Sequence, residues 1–265
     1  MLYSIPLTLP DPKLRTQRLF NRIAASYARW VFSHNRAQTR QDVEWINPHR
    51  HDRVLDLACG PGTLGLELVR HGCVVHGLDL AERMIAEARR IARARQRPNI
   101  HFGVADAEHL PLPDNSFNLV VCGYSFANFP APQRVVQEIA RVTRPGGRIA
   151  VLVVVAPENP AERQQVNRLE QMRSDALIRI LCLSDLLALF HQLNLHLLDC
   201  HVARQRQRLH DWLALAEFGD DRRARLRLRE VLLRTAKNNN AGVPLRRQGG
   251  HWFLYHKVAR LLWRK

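Results

Sequence analysis

Apolar and polar positions along the chain follow two periods that take turns. Over residues 14–34, Leu19, Phe20, Ile23 and Tyr27 fall roughly on one side at helical spacing with basic residues between them, which predicts an amphipathic helix. A polar break, Asn47-Pro48-His49-Arg50-His51-Asp52, follows. Short apolar runs and amphipathic stretches then alternate: strand 53–58, helix 62–70, strand 73–79, helix 81–95, strand 100–105. The turn-rich Pro111-Leu112-Pro113-Asp114-Asn115-Ser116 precedes a strand at 117–123, and a helix at 131–142 ends at Arg144-Pro145-Gly146-Gly147. Strand 148–155 contains the longest apolar run, Ile149 to Ala156, and suits a central position buried on both faces. Alternation of this kind predicts an α/β fold, a parallel sheet with helices on both faces.

The pattern changes after residue 156. Residues 157–180 are polar and helical in spacing, an insertion rather than another strand–helix unit, and insertions at a sheet's carboxyl edge cover active sites. Ser184 is a good N-cap for a helix at 184–192, and a strand follows at 195–203. Asp220-Asp221 opens a helix to about Lys237, Asn238-Asn239-Asn240-Ala241-Gly242 stops it, and Gly250 introduces a last strand at 251–258. The expected organisation is a helical N-terminal lid at 1–46 and one domain at 47–265. That domain comprises a ligand-binding core at 53–156, a helical cap at 157–183 and a closing part at 184–265.

Composition narrows the classes. A chain of 265 residues suits a single α/β domain with embellishments. No run approaches the ~20 apolar residues of a membrane span, and the start has no basic leader followed by a long apolar segment, so a cytoplasmic protein is expected. The five cysteines are widely spaced and odd in number, which suits reduced core residues, and no His/Cys/Asp cluster has metal spacing, so no metal is expected. The net charge of +16 rests on 40 basic residues, of which only Lys13, Lys237, Lys257 and Lys265 are lysines. Such an arginine excess invites a nucleic-acid reading. It thickens, however, only at 89–97 and 222–229, where arginines alternate with Ala, Leu or Ile at helical spacing as on solvated helix flanks.

Candidate chemistry gathers at the strand ends, where open α/β sheets bind ligands. Val54-Leu55-Asp56-Leu57-Ala58-Cys59-Gly60-Pro61-Gly62-Thr63 reads as strand, glycine turn and helix start, which lets a ligand approach backbone N–H groups closely. Gly60-x-Gly62-x-x-Gly65 also satisfies the dinucleotide fingerprint, so a nicotinamide or flavin enzyme is one reading. Asp56 inside the first strand, and the lack of a second mononucleotide-binding half after 155, argue against it. Asp56 suits an ammonium group. Asp79, 19 residues after Gly60, suits ribose hydroxyls, its competing role being to cap the helix near Ala81. Asp106 ends the third strand and suits an adenine amine. A methionine-derived cofactor carries an ammonium, a carboxylate, a ribose and an adenine, and no phosphate.

With that segment, Gly77-Leu78-Asp79-Leu80-Ala81-Glu82-Arg83-Met84, Ala105-Asp106-Ala107-Glu108-His109-Leu110-Pro111, Phe117-Asn118-Leu119-Val120-Val121-Cys122 and Arg141-Val142-Thr143-Arg144-Pro145-Gly146-Gly147 complete five motifs in order. In them the chain resembles a class I S-adenosylmethionine-dependent methyltransferase, of the ubiquinone/menaquinone C-methyltransferase-like (methyltransferase type 11) group. The resemblance implies a Rossmann-like, doubly wound, seven-stranded sheet of order 3-2-1-4-5-7-6 with the last strand antiparallel. It further implies that S-adenosylmethionine, leaving as S-adenosylhomocysteine, meets Tyr27, Asp56, Ala58, Gly60, Pro61, Gly62, Asp79, Leu80, Met84, Asp106, Ala107, Cys122 and Gly123.

Two departures concern catalysis. Where many relatives carry histidines after the fourth strand, this chain reads Tyr124-Ser125-Phe126-Ala127-Asn128-Phe129-Pro130, and Asn128 cannot act as a general base. The insertion keeps Arg173 of an Arg-Asp-x-x-His pattern without its histidine. Tyr124, His34 and Asp175 are therefore the candidate catalytic groups. The expected activity is methyl transfer to a small organic acceptor, with aromatic or apolar character suggested by Phe126, Phe129 and the lid aromatics. An RNA methyltransferase and a catalytically inactive cofactor-binding protein are the alternatives.

Overall fold

The structure is a computed structural model and describes residues 11–174, 176–214, 222–237 and 245–265. Asp175, the helix opening expected at Asp220-Asp221 and the stop expected at 238–242 lie outside the described residues.

The helices are α1 (Pro12–His34), α2 (Arg36–Ile46), α3 (Thr63–Leu68), α4 (Glu82–Ala94), α5 (Pro132–Val142), α6 (Pro160–Arg173), α7 (Leu183–His191), α8 (Leu209–Ala214) and α9 (Arg222–Lys237). The strands are β1 (Arg53–Leu57), β2 (Val74–Asp79), β3 (Ile100–Val104), β4 (Phe117–Gly123), β5 (Thr143–Val155), β6 (His196–Arg208), β7 (Leu245–Gln248) and β8 (His251–Arg264). They form one sheet of order β3-β2-β1-β4-β5-β8-β6, with β7 paired to β8 off this path. The first five strands run parallel, and β8 is antiparallel to both β5 and β6.

The sheet has eight strands rather than seven. The additional one, β7, holds a single apolar residue in Leu245-Arg246-Arg247-Gln248 and so shows no strand alternation in sequence. Gly249 and Gly250, at φ 54° and 79°, join it to β8 as a tight hairpin that needs positive φ at both central positions. Both late strands outrun their expected ends, because β8 lies between β5 and β6 and is hydrogen-bonded along both edges.

Alternation along the strands builds two core layers. Leu55, Leu57 and Val120 pack against Val135 and Ile139 of α5 and against Phe190 of α7, whose ring stacks on Trp263 at 4.0 Å. On the opposite face Val54, Val75 and Val121 meet Leu66 and Leu68 of α3 and Ile85 and Ala88 of α4. Val43 and Ile46 of α2 are wholly buried in this second layer, so α2 belongs to the core packing. A third cluster joins Val166 and Leu169 of α6 to Leu209 and Trp212 of α8 and Leu254 of β8.

Local signals set the helix ends. Asp11 accepts from the Lys13 N–H ahead of Pro12 in α1, and Asn159 accepts from Ala161 and Glu162 ahead of Pro160 in α6. Helix α6 stops at Arg173, although helical spacing continues to Ile180. Ser174 is extended, Asn167 clamps the Ile180 backbone through both ends of its amide, and the Ala156 N–H reaches the Leu181 carbonyl. Ile178 and Arg179 thus bond to the Ala127 carbonyl, and Cys182 bridges Ala156 just past β5.

One buried carboxylate ties the helical layer to the sheet. Asp42 of α2, 1% exposed, accepts from Arg260 of β8 (Nη2, 2.7 Å), from Gln38 (2.9 Å) and from the Tyr124 hydroxyl beyond β4 (2.9 Å). Removing one partner of such a pair leaves an uncompensated charge in the interior. Asp42→Ala is therefore expected to lower stability by about 3 kcal/mol, read as a lower urea midpoint. An unchanged midpoint would show that Arg260 finds solvent.

Candidate functional site

A cavity of about 850 Å³ lies beyond the carboxyl ends of β1, β2 and β4 and is bordered by α1, α6 and β8. Its floor is the turn after β1. Ala58, Gly60 and Gly62 have φ of 53°, 53° and 83°, a left-handed run that only the glycines adopt without strain. A Cβ on Gly60 would meet nothing within 4 Å, so this backbone faces open space.

Gly62 does something else. A Cβ there would lie 2.7 Å from the Phe102 ring, and the residue does not border the cavity, so its role is tight packing of the turn on β3. The Cys122 side chain also turns away from the cavity. Strand alternation turns its side chain into the core, 1% exposed, and leaves Gly123 and Tyr124 at the cavity.

Asp79 holds the turn in place. Its Oδ2 accepts from the Gly60 N–H (2.8 Å) and its Oδ1 from the Ala81 N–H (2.9 Å), so the helix-start role is realised together with a bond to the glycine turn. Each oxygen keeps a lone pair for a ligand hydroxyl. Burial raises its pKa against the lowering effect of those bonds. Asp56 is buried more deeply, at 1% exposure, and its Oδ2 accepts from the Gly65 N–H in α3 (2.9 Å). Burial pushes its pKa up to about 7, with the Asp79 charge adding to the rise.

The remaining wall comes from distant sequence. Lys13 of α1 places its ammonium 2.7 Å from both Asp106 and Glu108, and Gln17 donates to the Leu80 carbonyl (3.1 Å). Asp106, Glu108 and His109 converge closely enough to suggest a cation site, but Lys13 already supplies the positive charge there. Tyr27 packs edge-on to Phe20 and, with Met84 and Ala81, joins α1 to the start of α4. Burial and the Asp79 charge raise the Tyr27 pKa. Leu80, Ala58, Pro61 and Ala107 also border the cavity.

The candidate catalytic groups fare differently. Tyr124 sits at φ 59°, and its hydroxyl donates to Asp42; burial and that carboxylate push its pKa up, so it remains a protonated donor and a poor base. His34 borders the cavity but is exposed, stacked on Trp30 at 5.2 Å and bonded to Ser33. Asp175 is outside the described residues. Sequence reading missed Lys13, Glu170 and His256 as cavity residues. Each comes from a different element, and no local spacing connects them to the glycine turn.

A doubly wound sheet with this turn, and with acids at the ends of its first three strands, defines a nucleoside-binding enzyme class rather than one enzyme. Residues 54–147 match the family described as methyltransferase domain. The chain belongs to the class I S-adenosylmethionine-dependent methyltransferases, in the menaquinone-methyltransferase-like group. It is similar to the uncharacterized methyltransferase YcgJ of Bacillus subtilis, 33% identical over 138 residues, which is 52% of this chain and 54% of that protein. It is also similar to the 2-phytyl-1,4-naphtoquinone methyltransferase of Nostoc punctiforme, 34% identical over 155 residues, 56% of this chain and 67% of that one. The chain thus spans between about half and two thirds of the length of these curated relatives. The crystal structure of YcgJ shares the fold with a TM-score of 0.76 at 24% identity, over 88% of this chain and 98% of that one.

The Asp56 environment has a pH consequence. A carboxyl whose folded pKa lies near 7, above its ordinary 3.8, contributes stability that is complete below about pH 4 and is lost as pH rises through 7. Asp56→Asn keeps an oxygen for Gly65 and removes the titration. The stability difference between wild type and Asp56→Asn should shift against the wild type by on the order of a few kcal/mol between about pH 4 and 8, measured by denaturant unfolding. A difference that stays constant over this range would place Asp56 in a solvated setting.

Proposed function

We propose that the protein transfers the methyl group of S-adenosylmethionine to a small organic acceptor with an aromatic or apolar body, releasing S-adenosylhomocysteine. The observation that carries this reading is the open Gly60 backbone flanked by Asp56, Asp79 and Asp106 at the ends of adjacent parallel strands. The donor set fits the methyl donor group by group. Asp79 has lone pairs left for the ribose hydroxyls, and the Ala58–Pro61 backbone would cradle the methionine tail. Leu80 and Met84 would flank the adenine, and Asp106 with Ala107 would meet its edge. Asp56, poised near pH 7, would lose its proton to the field of a bound ammonium or sulfonium and hold that cation. The bound donor supplies an electrophilic methyl, and the chain's task is to align the acceptor in line with it and exclude water.

Helix α1 as lid and α6 as cap belong to this reading. Helix α1 lies across the strand ends, held by Lys13, Gln17 and the Arg83 N–H to Asn21 bond (3.0 Å), so it would move for the donor to enter. The cavity volume of about 850 Å³ lies in the upper part of the range of ligand pockets and leaves room for a donor with a small acceptor. Trp30, Tyr124, Phe129 and Trp212 border it and favour a flat or apolar acceptor. Relatives named for naphthoquinone substrates put quinols first among acceptors to try. No helix among the described residues is long and apolar enough to cross a membrane.

Calorimetric titration with S-adenosylhomocysteine tests the donor site. Wild type should bind, and Asp79→Ala should weaken binding by about tenfold or more, the value of one or two hydrogen bonds to a charged group. Transfer of labelled methyl into 1,4-naphthohydroquinone and into a metabolite extract, read by mass spectrometry, tests the acceptor. Failure of the wild type to bind either the donor or its product would remove the proposal.

A further inference from the structure

His256 has no role in the donor site. It lies on β8 with Gln205 of β6 as its register partner, one residue before Lys257, which pairs with Val155 at the end of β5. It therefore stands just past the carboxyl end of β5, and its ring borders the same cavity as Gly60, Gly123 and Tyr124.

Its surroundings leave it without a partner. Glu170 of α6, 5% exposed, faces it, but that carboxylate is already engaged by Arg173 (2.8 Å) and by the Trp212 indole N–H of α8 (3.2 Å). Arg173 in turn lies over the Trp212 ring at 5.1 Å. Gln205, across the strand, donates to Gln38 of α2. The His256 Nε2 is enclosed and makes no hydrogen bond among the described residues. An unsatisfied buried nitrogen is costly and rare in native proteins. Burial, helped by the Arg173 charge and opposed by Glu170, lowers the imidazole pKa, so the ring is neutral at pH 7 and retains a lone pair.

We propose that His256 is the catalytic base of the acceptor site, its unpartnered Nε2 accepting a hydrogen bond from the acceptor's nucleophilic group and taking its proton during methyl transfer. This rests on the methyltransferase reading above. The enclosed nitrogen would reach an acceptor by a turn about Cβ–Cγ, which the broad χ2 torsion of histidine allows. An electron pair on the acceptor's oxygen, nitrogen or acidic carbon forms the new bond to the methyl carbon. The carbon–sulfur bond breaks with its pair retained by sulfur, giving S-adenosylhomocysteine. The acceptor's proton passes to Nε2 and then to solvent. Of the two candidate groups among the described residues, Tyr124 is a donor held by Asp42 and His34 is an exposed, stacked ring, so neither can do this as well.

Two measurements on the full chain test the assignment. Nitrogen-15 spectra of labelled imidazoles, with His256→Gln identifying the resonance, should show a neutral ring at pH 7 with the proton on Nδ1 and titration below pH 6.5. A ring that is charged at pH 7, or that carries its proton on Nε2, overturns the proposal without any turnover being measured. Labelled methyl transfer into the metabolite extract should then be about 100-fold slower or more in His256→Gln, with S-adenosylhomocysteine affinity within about twofold of wild type and the acid limb of the pH–rate profile lost. Equal rates in wild type and variant overturn the role of His256 and leave the methyltransferase reading intact. A wild type that binds no donor overturns both.

Discussion

Two carboxylates, the buried Asp56 and the half-buried Asp79, hold the backbone N–H groups of one glycine turn, and the geometry of the cavity follows from them. Asp79 fixes Gly60 and the start of α4, and Asp56 fixes Gly65 inside α3. A turn with three residues at positive φ is costly in conformational freedom, and these hydrogen bonds offset that cost. The same atoms give the site its electrostatic character. Two acids at the ends of β1 and β2, both with raised pKa, form a place where positive charge is stabilised.

Around this floor the walls are built by long-range polar contacts. Lys13 reaches Asp106 and Glu108 across 93 and 95 residues, and Arg260 reaches Asp42 across 218. The first contact holds α1 over the strand ends. The second joins α2 to the antiparallel strand β8 and, through Tyr124, to the end of β4. Closure of the cavity and stability of the sheet are therefore coupled through charged groups. The arginine excess that first suggested nucleic acid is in part structural: Arg141, Arg148, Arg173 and Arg260 are all tied to named acids.

Legibility in sequence varied with the range of the interaction. The alternation from Arg53 to Val155 located five strands and their parallel pairing, because each strand–helix unit carries its own hydrophobic period. Asp79 and Gly60 were readable because 19 residues of one unit separate them. The packing of Gly62 on Phe102 and of the Cys122 side chain in the core was not legible, since a glycine required for packing and a core cysteine look the same in sequence as residues that face a ligand. Strand β7 escaped notice because its partner β8 supplies the hydrogen bonds that its own composition does not advertise.

The amino-acid sequence by itself determined the α/β class, the strand ends beyond which the cavity lies and the motifs shared with the methyltransferase family. Those features are local, set by periodicity and by turns that few residues can adopt. Only the tertiary structure decided which distant groups close the cavity and which nitrogen is left without a partner. Lys13, Asp42, Glu170 and His256 lie on four different elements, α1, α2, α6 and β8. What they do depends on burial and neighbouring charge, which exist only once the sheet has brought those elements together.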